Sequence, residues 1–525
     1  MARKAVSALL FARYRSVSRA EAVINRQGHG RATGVGQGEG PELRYDAAII
    51  GAGAEGLAAA IVLGRAGLRV VVIERADRAG GRLLARQFHP GFRCSPFVDG
   101  VSEVPASLFW ALDLARRGAI AARPLTSLAV WPDRRHTLAF GSCGGAAAKL
   151  LATAGERRRE IAERVLDAEA PPRRFRQSEM RAWPGEAWAT CSLANVLARA
   201  GLPDDAREHI AGLALASAAA DPFLDGSALH LLGAGSRLTG GTERLADALI
   251  AAAKAVGVEF SFGLEASDLH RRGGDRDGRI TGIGLADGSE IAAGSAISTL
   301  DLKRTFLTFF AWNSLPKAVV QRVNAFRVAG STARVLFALN RMPPETGDGA
   351  IHVAPSLERL SEASQAWRSG VLAEQLPTTL NVARDPGLAP PSGAIVTATF
   401  GAIPFRLFDG AWTREKRELL RHRALEAAEL VWPGFGDSVV AIEVVAPPDI
   451  EDALGATDGD LNGGEIAADQ MLGAEPWSDG ALPRTPIAGL YLAGSYLTAG
   501  AFATCAAGAA AANALLADRA RGRLR

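Results

Sequence analysis

The sequence predicts an α/β fold made of two domains, and three observations support this prediction. The chain has 525 residues, which is more than one hydrophobic core normally organises. Residues 47–74 contain two apolar runs separated by a glycine-rich turn and an apolar helical stretch, which indicates a strand, a helix and a second strand. Residues 331–340 and 393–402 have the composition of strands and lie far from this unit. A second domain with a mixed sheet and helices is therefore expected.

The composition excludes several classes of protein. The formal net charge is +3, which is small for this length and gives no basic footprint for nucleic acid. The four cysteines and eight histidines are dispersed, without the spacing of a metal site, a redox-active dithiol or a disulfide framework. We therefore expect no metal and no nucleic-acid partner, and we expect a reducing, cytoplasmic location.

The first 44 residues differ from the rest of the chain. This segment is rich in arginine and lysine, and Glu21 is its only acidic residue before Glu39. We interpret residues 1–44 as a basic, disordered extension. The alternative is an amphipathic transit peptide, which would place the protein in the mitochondrial matrix if its source is eukaryotic.

A glycine-rich turn follows the first predicted strand. It has the spacing Gly51-x-Gly53-x-x-Gly56, in which the first glycine permits a tight turn, the second lets the backbone approach a pyrophosphate and the third lets helix and strand pack closely. The phosphates would meet the positive end of the helix. Glu55, between the glycines, is expected to face an anionic ligand or solvent. The predicted phosphate loop therefore consists of Gly51, Ala52, Gly53, Ala54, Glu55 and Gly56.

Two features after this loop indicate which nucleotide binds. Glu74 ends the second strand, eighteen residues after Gly56, where an acid accepts hydrogen bonds from a ribose. An acid here favours an unphosphorylated ribose, as in FAD or NAD, and we include the adjacent Arg75 in the site. Six residues later the chain reads Gly80-Gly81-Arg82, which could bring a second loop and a guanidinium against the same diphosphate. This combination favours FAD over NAD.

With these motifs the sequence resembles the FAD-dependent amine-oxidase and phytoene-desaturase superfamily, and most of all its phytoene-dehydrogenase-like branch. The resemblance covers about residues 45–517 and rests on four blocks. They are the glycine-rich unit continued through "GGRLLARQFHPGFRCSP", the segment from "GGTERLADALI" to "STLDLKRTF", the segments "ARDPGLAPPSGAIVTATFGAIPF" and "PPDIEDALGATDGDLNGGEIAADQML", and "GLYLAGS" with Gly500 and Gly508. It implies a Rossmann-like FAD-binding domain of the glutathione-reductase-like type and a substrate domain.

The resemblance also implies further contacts with the cofactor. Ala266 would lie against the adenine. In the last block, Gly494, Ser495, Phe502 and Ala503 would lie near the flavin or its pyrophosphate. Phe502 is bulky where the superfamily has small residues, and the Thr498 to Phe502 segment departs from the superfamily pattern.

The last block raises a separate question about membranes, because residues 485–517 contain no charged side chain. A bilayer-spanning helix needs about 20 mostly apolar residues. Glycine and alanine dominate here and would bury little hydrophobic area, so close packing of small residues is the favoured interpretation.

Domain boundaries follow from the resemblance. The FAD-binding domain would comprise residues 45–105, 236–305 and 480–525. The substrate domain would comprise residues 106–235 and 306–479. Within the latter, the arginine-rich residues 156–177 are interpreted as a solvated helix face, with peripheral membrane contact as the alternative.

The function expected from the resemblance is FAD-dependent oxidation. Hydride would move from a small, lipophilic or amine-type substrate to the flavin, and oxygen, a quinone or another acceptor would reoxidise it. The sequence indicates no catalytic base, since His230 and His352 are interpreted as structural, and it indicates no oligomeric state. Two alternatives stay open: a non-catalytic protein stabilised by FAD, and an NAD-binding dehydrogenase.

Overall fold

The computed structural model describes most of the chain after residue 44. The described residues are 45–119, 126–133, 136–139, 145–166, 186–215, 217–234, 237–239, 241–273, 278–311, 313–328, 330–344, 349–383, 387–470, 483–494 and 503–524. Their strands are β1 (Ala47–Ile50), β2 (Val70–Glu74), β3 (Arg86–His89), β4 (Phe92–Cys94), β5 (Gly100–Ser102), β6 (Thr126–Val130), β7 (His136–Ala139), β8 (Arg237–Thr239), β9 (Glu259–Phe262), β10 (Ala266–Arg272), β11 (Arg279–Leu285), β12 (Glu290–Ala292), β13 (Ala296–Ser298), β14 (Ala333–Leu339), β15 (Gly349–Val353), β16 (Thr378–Ala383), β17 (Ala394–Phe400), β18 (Val439–Val445) and β19 (Leu490–Leu492).

The helices are distributed over the whole described chain. They are α1 (Ala54–Arg65), α2 (Ala106–Ala111), α3 (Ala146–Leu166), α4 (Glu186–Ala189), α5 (Leu193–Arg199), α6 (Asp204–Leu215), α7 (Thr242–Ala255), α8 (Leu302–Thr308), α9 (Lys317–Ala325), α10 (Leu357–Arg368), α11 (Arg414–Val431), α12 (Pro447–Leu454) and α13 (Ala506–Ala520). Short 3₁₀ turns add Gly81–Leu83, Ala115–Arg117, Ser227–Gly233, Phe435–Ser438 and Thr457–Gly459.

A five-stranded parallel sheet carries the glycine-rich unit. Its strand order is β19-β13-β1-β2-β9, and every neighbouring pair is parallel. β1 is buried along its whole length, as expected for a parallel strand covered on both faces. Helices α1, α7 and α13 pack on one face, and β10 to β12 with α8 and α9 cover the other. The five strands fall in the three segments predicted for the nucleotide-binding domain, whose boundaries stay a prediction.

A seven-stranded mixed sheet forms the centre of the second unit. Its order is β18-β14-β17-β16-β15-β6-β7, in which only the β15–β6 pair is parallel. Side chains of β14 and β17 pack with α11 around Phe337 and Trp432 on one face. The predicted α/β fold, with a Rossmann-like sheet and a second domain, is therefore confirmed.

Helix α3 contains the first part of the arginine-rich stretch. Arg158 is only 5% exposed and donates to the carbonyl oxygens of Leu232 and Ala234 at 3.2 and 3.3 Å. The guanidinium of Arg157 lies over the Trp188 ring, 4.7 Å from its centroid. Arg158 therefore packs inside the protein, so solvation of the helix face was a wrong prediction for this residue, and Arg157 is half-buried against Trp188. Residues 167–177 lie outside the described residues, and membrane contact stays a prediction.

The uncharged C-terminal stretch forms β19 at a sheet edge and the alanine-rich helix α13. Most of α13 is buried against α1 and the parallel sheet. Among the described residues, no helix is both long enough and apolar enough to cross a membrane. Small side chains let α13 and α1 approach closely: a Cβ added at Gly508 would lie 1.9 Å from the backbone oxygen of Glu55.

Candidate nucleotide-binding cleft

A cleft of about 750 Å³ opens at the carboxyl ends of β1, β2 and β13. One wall consists of the glycine-rich loop and the turns after β2 and β13, and the opposite wall consists of residues 443–463. In open parallel sheets, ligands bind outside the carboxyl ends of the strands. The position and size of the cleft are therefore those of a nucleotide site.

The three glycines of the first loop meet different neighbours. Gly51 has a φ of +98°, and a Cβ there would lie 2.2 Å from Oγ1 of Thr299. At Gly56 a Cβ would lie 2.0 Å from the backbone oxygen of Gly51, so this glycine allows α1 to pack on the turn. Gly53 has no atom within 4 Å of an added Cβ among the described residues, and it lines the cleft. Only Gly53 therefore keeps space open for a ligand.

The start of α1 is suited to an anion. Gly53, the residue before α1, has no side chain with which to cap the helix. Its first backbone N–H groups, near Gly53 and Ala54, lie at the cleft wall. Uncapped amides and the helix dipole together favour negative charge, so this end of α1 can hold a phosphate.

Glu74 is placed beside this loop. Its carboxylate accepts hydrogen bonds from the backbone N–H groups of Ala52 at 2.8 Å and Ala76 at 3.0 Å. The side chain therefore holds the glycine-rich loop to the end of β2 and still lines the cleft. A carboxylate has enough lone pairs to accept further hydrogen bonds from ribose hydroxyl groups.

The second glycine pair packs directly on the first loop. The N–H of Gly80 donates to the carbonyl oxygen of Ala52 at 2.9 Å. A Cβ at Gly81 would lie 3.3 Å from the Cα of Gly53, so this close approach requires small residues. The structure thus brings together the two loops that the sequence placed at one diphosphate.

Arg82 connects this loop to the opposite wall. Its Nη1 donates to the carbonyl oxygen of Leu461 at 2.7 Å. Burial lowers the pKa of the guanidinium, while the charges of Glu55 and Asp460 raise it. Because a guanidinium carries five donors, Arg82 can bind Leu461 and also present N–H groups to an anion in the cleft.

Glu55 is not where the sequence led us to expect it. Its side chain does not face solvent, and both carboxylate oxygens are already engaged by the protein: Glu55 is 8% exposed and accepts the backbone N–H groups of Cys505 and Gly508, both at 2.8 Å. Burial raises its pKa to about 7, against the hydrogen bonds from α13 and the charge of Arg82, which lower it. The carboxylate thus caps α13.

The predicted site residues as a whole divide into three groups by their position relative to the cleft. Those that line the cleft are Gly51, Gly53, Ala54, Glu55, Glu74, Arg75, Gly81, Arg82 and Ala266. Those described but absent from its lining are Ala52, Gly56, Gly80, Gly494 and Ala503. Those outside the described residues are Ser495 and Phe502.

Sequence reasoning missed several residues of the cleft. Thr299 and Asp301 follow β13, and both line the cleft. The carboxylate of Asp301 accepts the backbone N–H groups of Arg304 and Thr457, both at 2.9 Å, as well as the Thr457 hydroxyl. Asp301 therefore caps α8 and holds the opposite wall. Because the carboxyl ends of parallel strands share one edge, the position of "STLD" after a strand was a usable signal.

Charged side chains at the rim are largely paired with one another. Arg304 contacts Glu265 at 3.2 Å. The other pairs are Arg86 with Glu443 and Arg417 with Asp449. Exposed pairs such as these contribute little to stability.

The two histidines considered as candidates lie away from the cleft lining. His230 is buried in the Ser227–Gly233 turn, and burial lowers its pKa to about 4. His352 shares a hydrogen bond of 3.0 Å with the hydroxyl of Thr379. Its ring lies 5.7 Å from that of His209, which contacts Ser127. These contacts are those of structural residues, and the structure brings neither histidine into the cleft.

Comparisons with known proteins agree with this geometry. The NAD(P)-binding Rossmann-like domain family matches residues 49–114. Pyridine nucleotide-disulfide oxidoreductase domain-containing protein 2 of Mus musculus is 24% identical over 550 residues, which cover 90% of this chain and 94% of that protein. The Rattus norvegicus protein of the same name is 25% identical over 562 residues, with the same coverage.

Solved structures with a similar fold include two amine oxidases. Wild-type putrescine oxidase bound to putrescine has a TM-score of 0.57 and 16% identity, covering 91% of this chain and 99% of that one. Cyclohexylamine oxidase from Brevibacterium oxydans has a TM-score of 0.54 and 16% identity, covering 91% and 100%. The predicted resemblance is thereby confirmed.

Proposed function

We propose that this chain, an oxidoreductase resembling the FAD-dependent amine-oxidase and phytoene-desaturase superfamily, binds FAD in the cleft and oxidises a lipophilic or amine-type substrate. One observation carries the proposal. Two glycine loops, the uncapped start of α1, Glu74 and Arg82 converge at the carboxyl edge of a parallel sheet. This combination suits a dinucleotide with an unphosphorylated ribose.

The residues present fit the pyrophosphate, ribose and adenine parts of FAD. The open space at Gly53 and the first amides of α1 would receive the pyrophosphate, with Arg82 supplying positive charge. Glu74 would accept hydrogen bonds from the ribose, and Ala266 would lie near the adenine. When bound, the flavin ring accepts a hydride from a substrate C–H bond.

The chain's own residues prepare the cleft for this chemistry. Asp301 holds residues 446–463 to the parallel-sheet side of the cleft through Thr457, and Arg82 does the same through Leu461. Together they would limit access of water to a bound cofactor. Among the described residues we assign no side chain to remove a proton from the substrate.

The substrate class is inferred from similar proteins. The names of the solved structures include putrescine oxidase and cyclohexylamine oxidase, and one structure is bound to putrescine. An amine therefore stands beside a lipophilic molecule as the substrate to test first. Oxygen, a quinone or another acceptor would then reoxidise the flavin.

The test is an absorbance spectrum of the purified protein, followed by heat release and chromatographic identification of its ligand. We expect a yellow protein that releases FAD in about equimolar amount. Rapid mixing with a panel of amines and polyenes should bleach the flavin absorbance for the correct substrate class.

Two other outcomes would redirect the proposal. A colourless protein that binds NAD would contradict the flavin assignment. The protein could also be yellow, with a flavin that is reduced by dithionite but by none of the tested substrates. This outcome would support the non-catalytic alternative.

A further inference from the structure

Glu55 joins two elements that lie at opposite ends of the described chain. It stands in the first turn of α1, and its side chain reaches the first turn of α13. Both contacts are to backbone N–H groups, at Cys505 and Gly508. The free amides at the start of a helix form an anion site, and in this protein an internal carboxylate occupies it at α13.

The same residue lies at the wall of the cleft. Glu55 lines it together with Gly53 and Ala54, where the proposed function places a diphosphate. An ionised carboxylate at the cleft wall would repel a diphosphate bound in the cleft, and the repulsion is stronger where less water lies between the two charges. Of the described side chains, Arg82 faces Glu55 from the Gly81–Leu83 turn, and the thiol of Cys505 faces it from α13.

We propose that Glu55 is a positioning residue that fixes the start of α13 to the nucleotide-binding loop and takes up a proton when a dinucleotide binds. This inference rests on the proposed function. The neutral carboxyl group removes the repulsion and leaves the positive charge of Arg82 for the phosphates. Asp460 also faces Arg82, so the single positive charge of the guanidinium is shared between two carboxylates and does not fully offset the charge of Glu55.

The sign of the pH dependence follows from the position of the group. Burial has already raised the pKa of Glu55 to about 7 without ligand, and nearby phosphate charge would raise it further. Above pH 7, Glu55 is ionised in the free protein and takes up a proton when the ligand binds. Well below pH 7 it is already protonated, so binding takes up no proton. The affinity for FAD should therefore fall as the pH rises above 7, by at most about tenfold per pH unit.

The experiment measures FAD affinity of the full-length chain, stripped of nucleotide, between pH 6 and pH 9. We expect the wild type to lose about tenfold or more in affinity across this range, and Glu55→Gln to vary far less. Glu429→Gln is the matched control. Glu429 also accepts two backbone N–H groups, from Gly434 and Gly436, but does not line the cleft, so this variant should follow the wild type.

A second readout tests the positioning role. Hydrogen exchange at the amides of Cys505 and Gly508 should accelerate in Glu55→Gln, because a glutamine offers one acceptor and one donor to two N–H groups. Exchange elsewhere in the parallel sheet should stay as in the wild type. Unchanged protection at both amides would overturn this role.

Calorimetry of the wild type keeps the inference testable if the variant does not fold. FAD binding at pH 8, compared in buffers of different ionisation enthalpy, should show proton uptake. FAD bound with equal affinity at pH 6 and pH 9, with no proton uptake, would overturn the inference and leave the proposed function intact. A wild type that binds no FAD at any pH would overturn both.

Discussion

Gly53 and Gly56 stand three positions apart in one loop, but they have different surroundings. A valine at position 53 would point into the cleft, because nothing among the described residues lies within 4 Å of its Cβ. A valine at position 56 would meet the backbone of Gly51 at 2.0 Å. Gly53→Val should therefore keep its unfolding free energy within about 1 kcal/mol of the wild type but lose FAD binding.

Gly56→Val is the comparison for that prediction. It should lose about 3 kcal/mol or more of unfolding free energy, because main-chain atoms must move to accept the side chain. Urea denaturation and FAD titration of both variants check the difference. FAD binding retained by Gly53→Val would remove this glycine from the proposed phosphate site.

Gly508 is a second glycine whose neighbour decides the effect of substitution. Alanine favours a helix over glycine by about 1 kcal/mol. At this position, however, its Cβ would lie 1.9 Å from the backbone oxygen of Glu55, so α13 must move away from α1. We expect Gly508→Ala to lose about 1–3 kcal/mol of unfolding free energy, measured by urea denaturation.

Gly155 offers the matched control within another helix. Its nearest contact to an added Cβ is the Arg158 side chain at 3.8 Å, which is an ordinary distance. Gly155→Ala should therefore be neutral or stabilising by up to about 1 kcal/mol. Equal effects at positions 155 and 508 would contradict the close α1–α13 approach.

Glu55 should also make the stability of the ligand-free protein depend on pH. Its pKa is about 7 in the folded protein and 4.5 ordinarily, so the folded state binds more protons between these values. The unfolding free energy should therefore fall as the pH rises from 4.5 to 7, by about 3 kcal/mol from this group. Above pH 7 this contribution is constant.

The comparison of wild type with Glu55→Gln isolates that contribution. The variant should gain stability relative to the wild type as the pH rises from 4.5 to 8, as measured by urea denaturation. A difference that stays constant with pH would show that Glu55 is ionised throughout this range.

Sequence reasoning found the position of Glu55 but not its contacts. The spacing of the loop glycines predicted the turn, and the structure places Gly51 and Gly53 at the cleft as expected. The partners of Glu55 are 450 and 453 residues away, and no local pattern indicates which helix end will lie beside it. Long-range partners of a buried charge depend on tertiary packing, which local spacing does not encode.

At the scale of elements, residues 446–463 are the part of the opposite wall that is held at two points, Thr457 by Asp301 and Leu461 by Arg82. Asp301 binds Thr457 from the parallel-sheet side and also caps α8 at Arg304. Asp301→Ala should therefore lose about 2–3 kcal/mol of unfolding free energy, since it leaves several donors without their acceptor. Hydrogen exchange at Thr457 and nearby residues should increase.

Ser356 provides the matched control for that prediction. It caps α10 through the backbone N–H of Arg359 at 3.3 Å, with no contact to the cleft wall. Ser356→Ala should cost about 1 kcal/mol and leave exchange in residues 446–463 unchanged. If Asp301→Ala also costs only about 1 kcal/mol and leaves exchange in residues 446–463 unchanged, Asp301 is a helix cap and does not hold the wall.

This wall also shows why an element could be recognised from the sequence while its contacts could not. The sequence assigned "PPDIEDALGATDGDLNGGEIAADQML" to the second domain, and Pro447–Leu454 does begin a helix after β18 of the seven-stranded sheet. The contact of Leu461 with Arg82 spans 379 residues. A segment can therefore belong to one sheet by connectivity and still line a cleft at the other.

At the scale of the whole molecule, the cleft lies where the two sheets meet. Its lining comes from the ends of β1 and β2 and from β18 and α12. A ligand that binds only the folded form should stabilise both units together. FAD at about 100 times its dissociation constant should add about 2.7 kcal/mol to the unfolding free energy.

Thermal unfolding with increasing FAD checks this prediction. We expect one transition that moves to higher temperature, with NAD at the same concentrations producing a smaller shift. Gly53→Val serves as the binding-deficient control and should not respond. Two separate transitions, of which FAD moves only one, would show that the cleft does not couple the units.

The strand order of the parallel sheet has a consequence for synthesis of the protein. β19 pairs with β13, and α13 covers α1. The parallel-sheet unit that begins at residue 47 therefore cannot complete its fold until residues 490–520 have been synthesised. At about 5–20 residues per second, a ribosome needs on the order of half a minute or more to supply them. During this time α1 has an uncovered apolar face, and β13, once it has been synthesised, is an open strand edge, which favours aggregation.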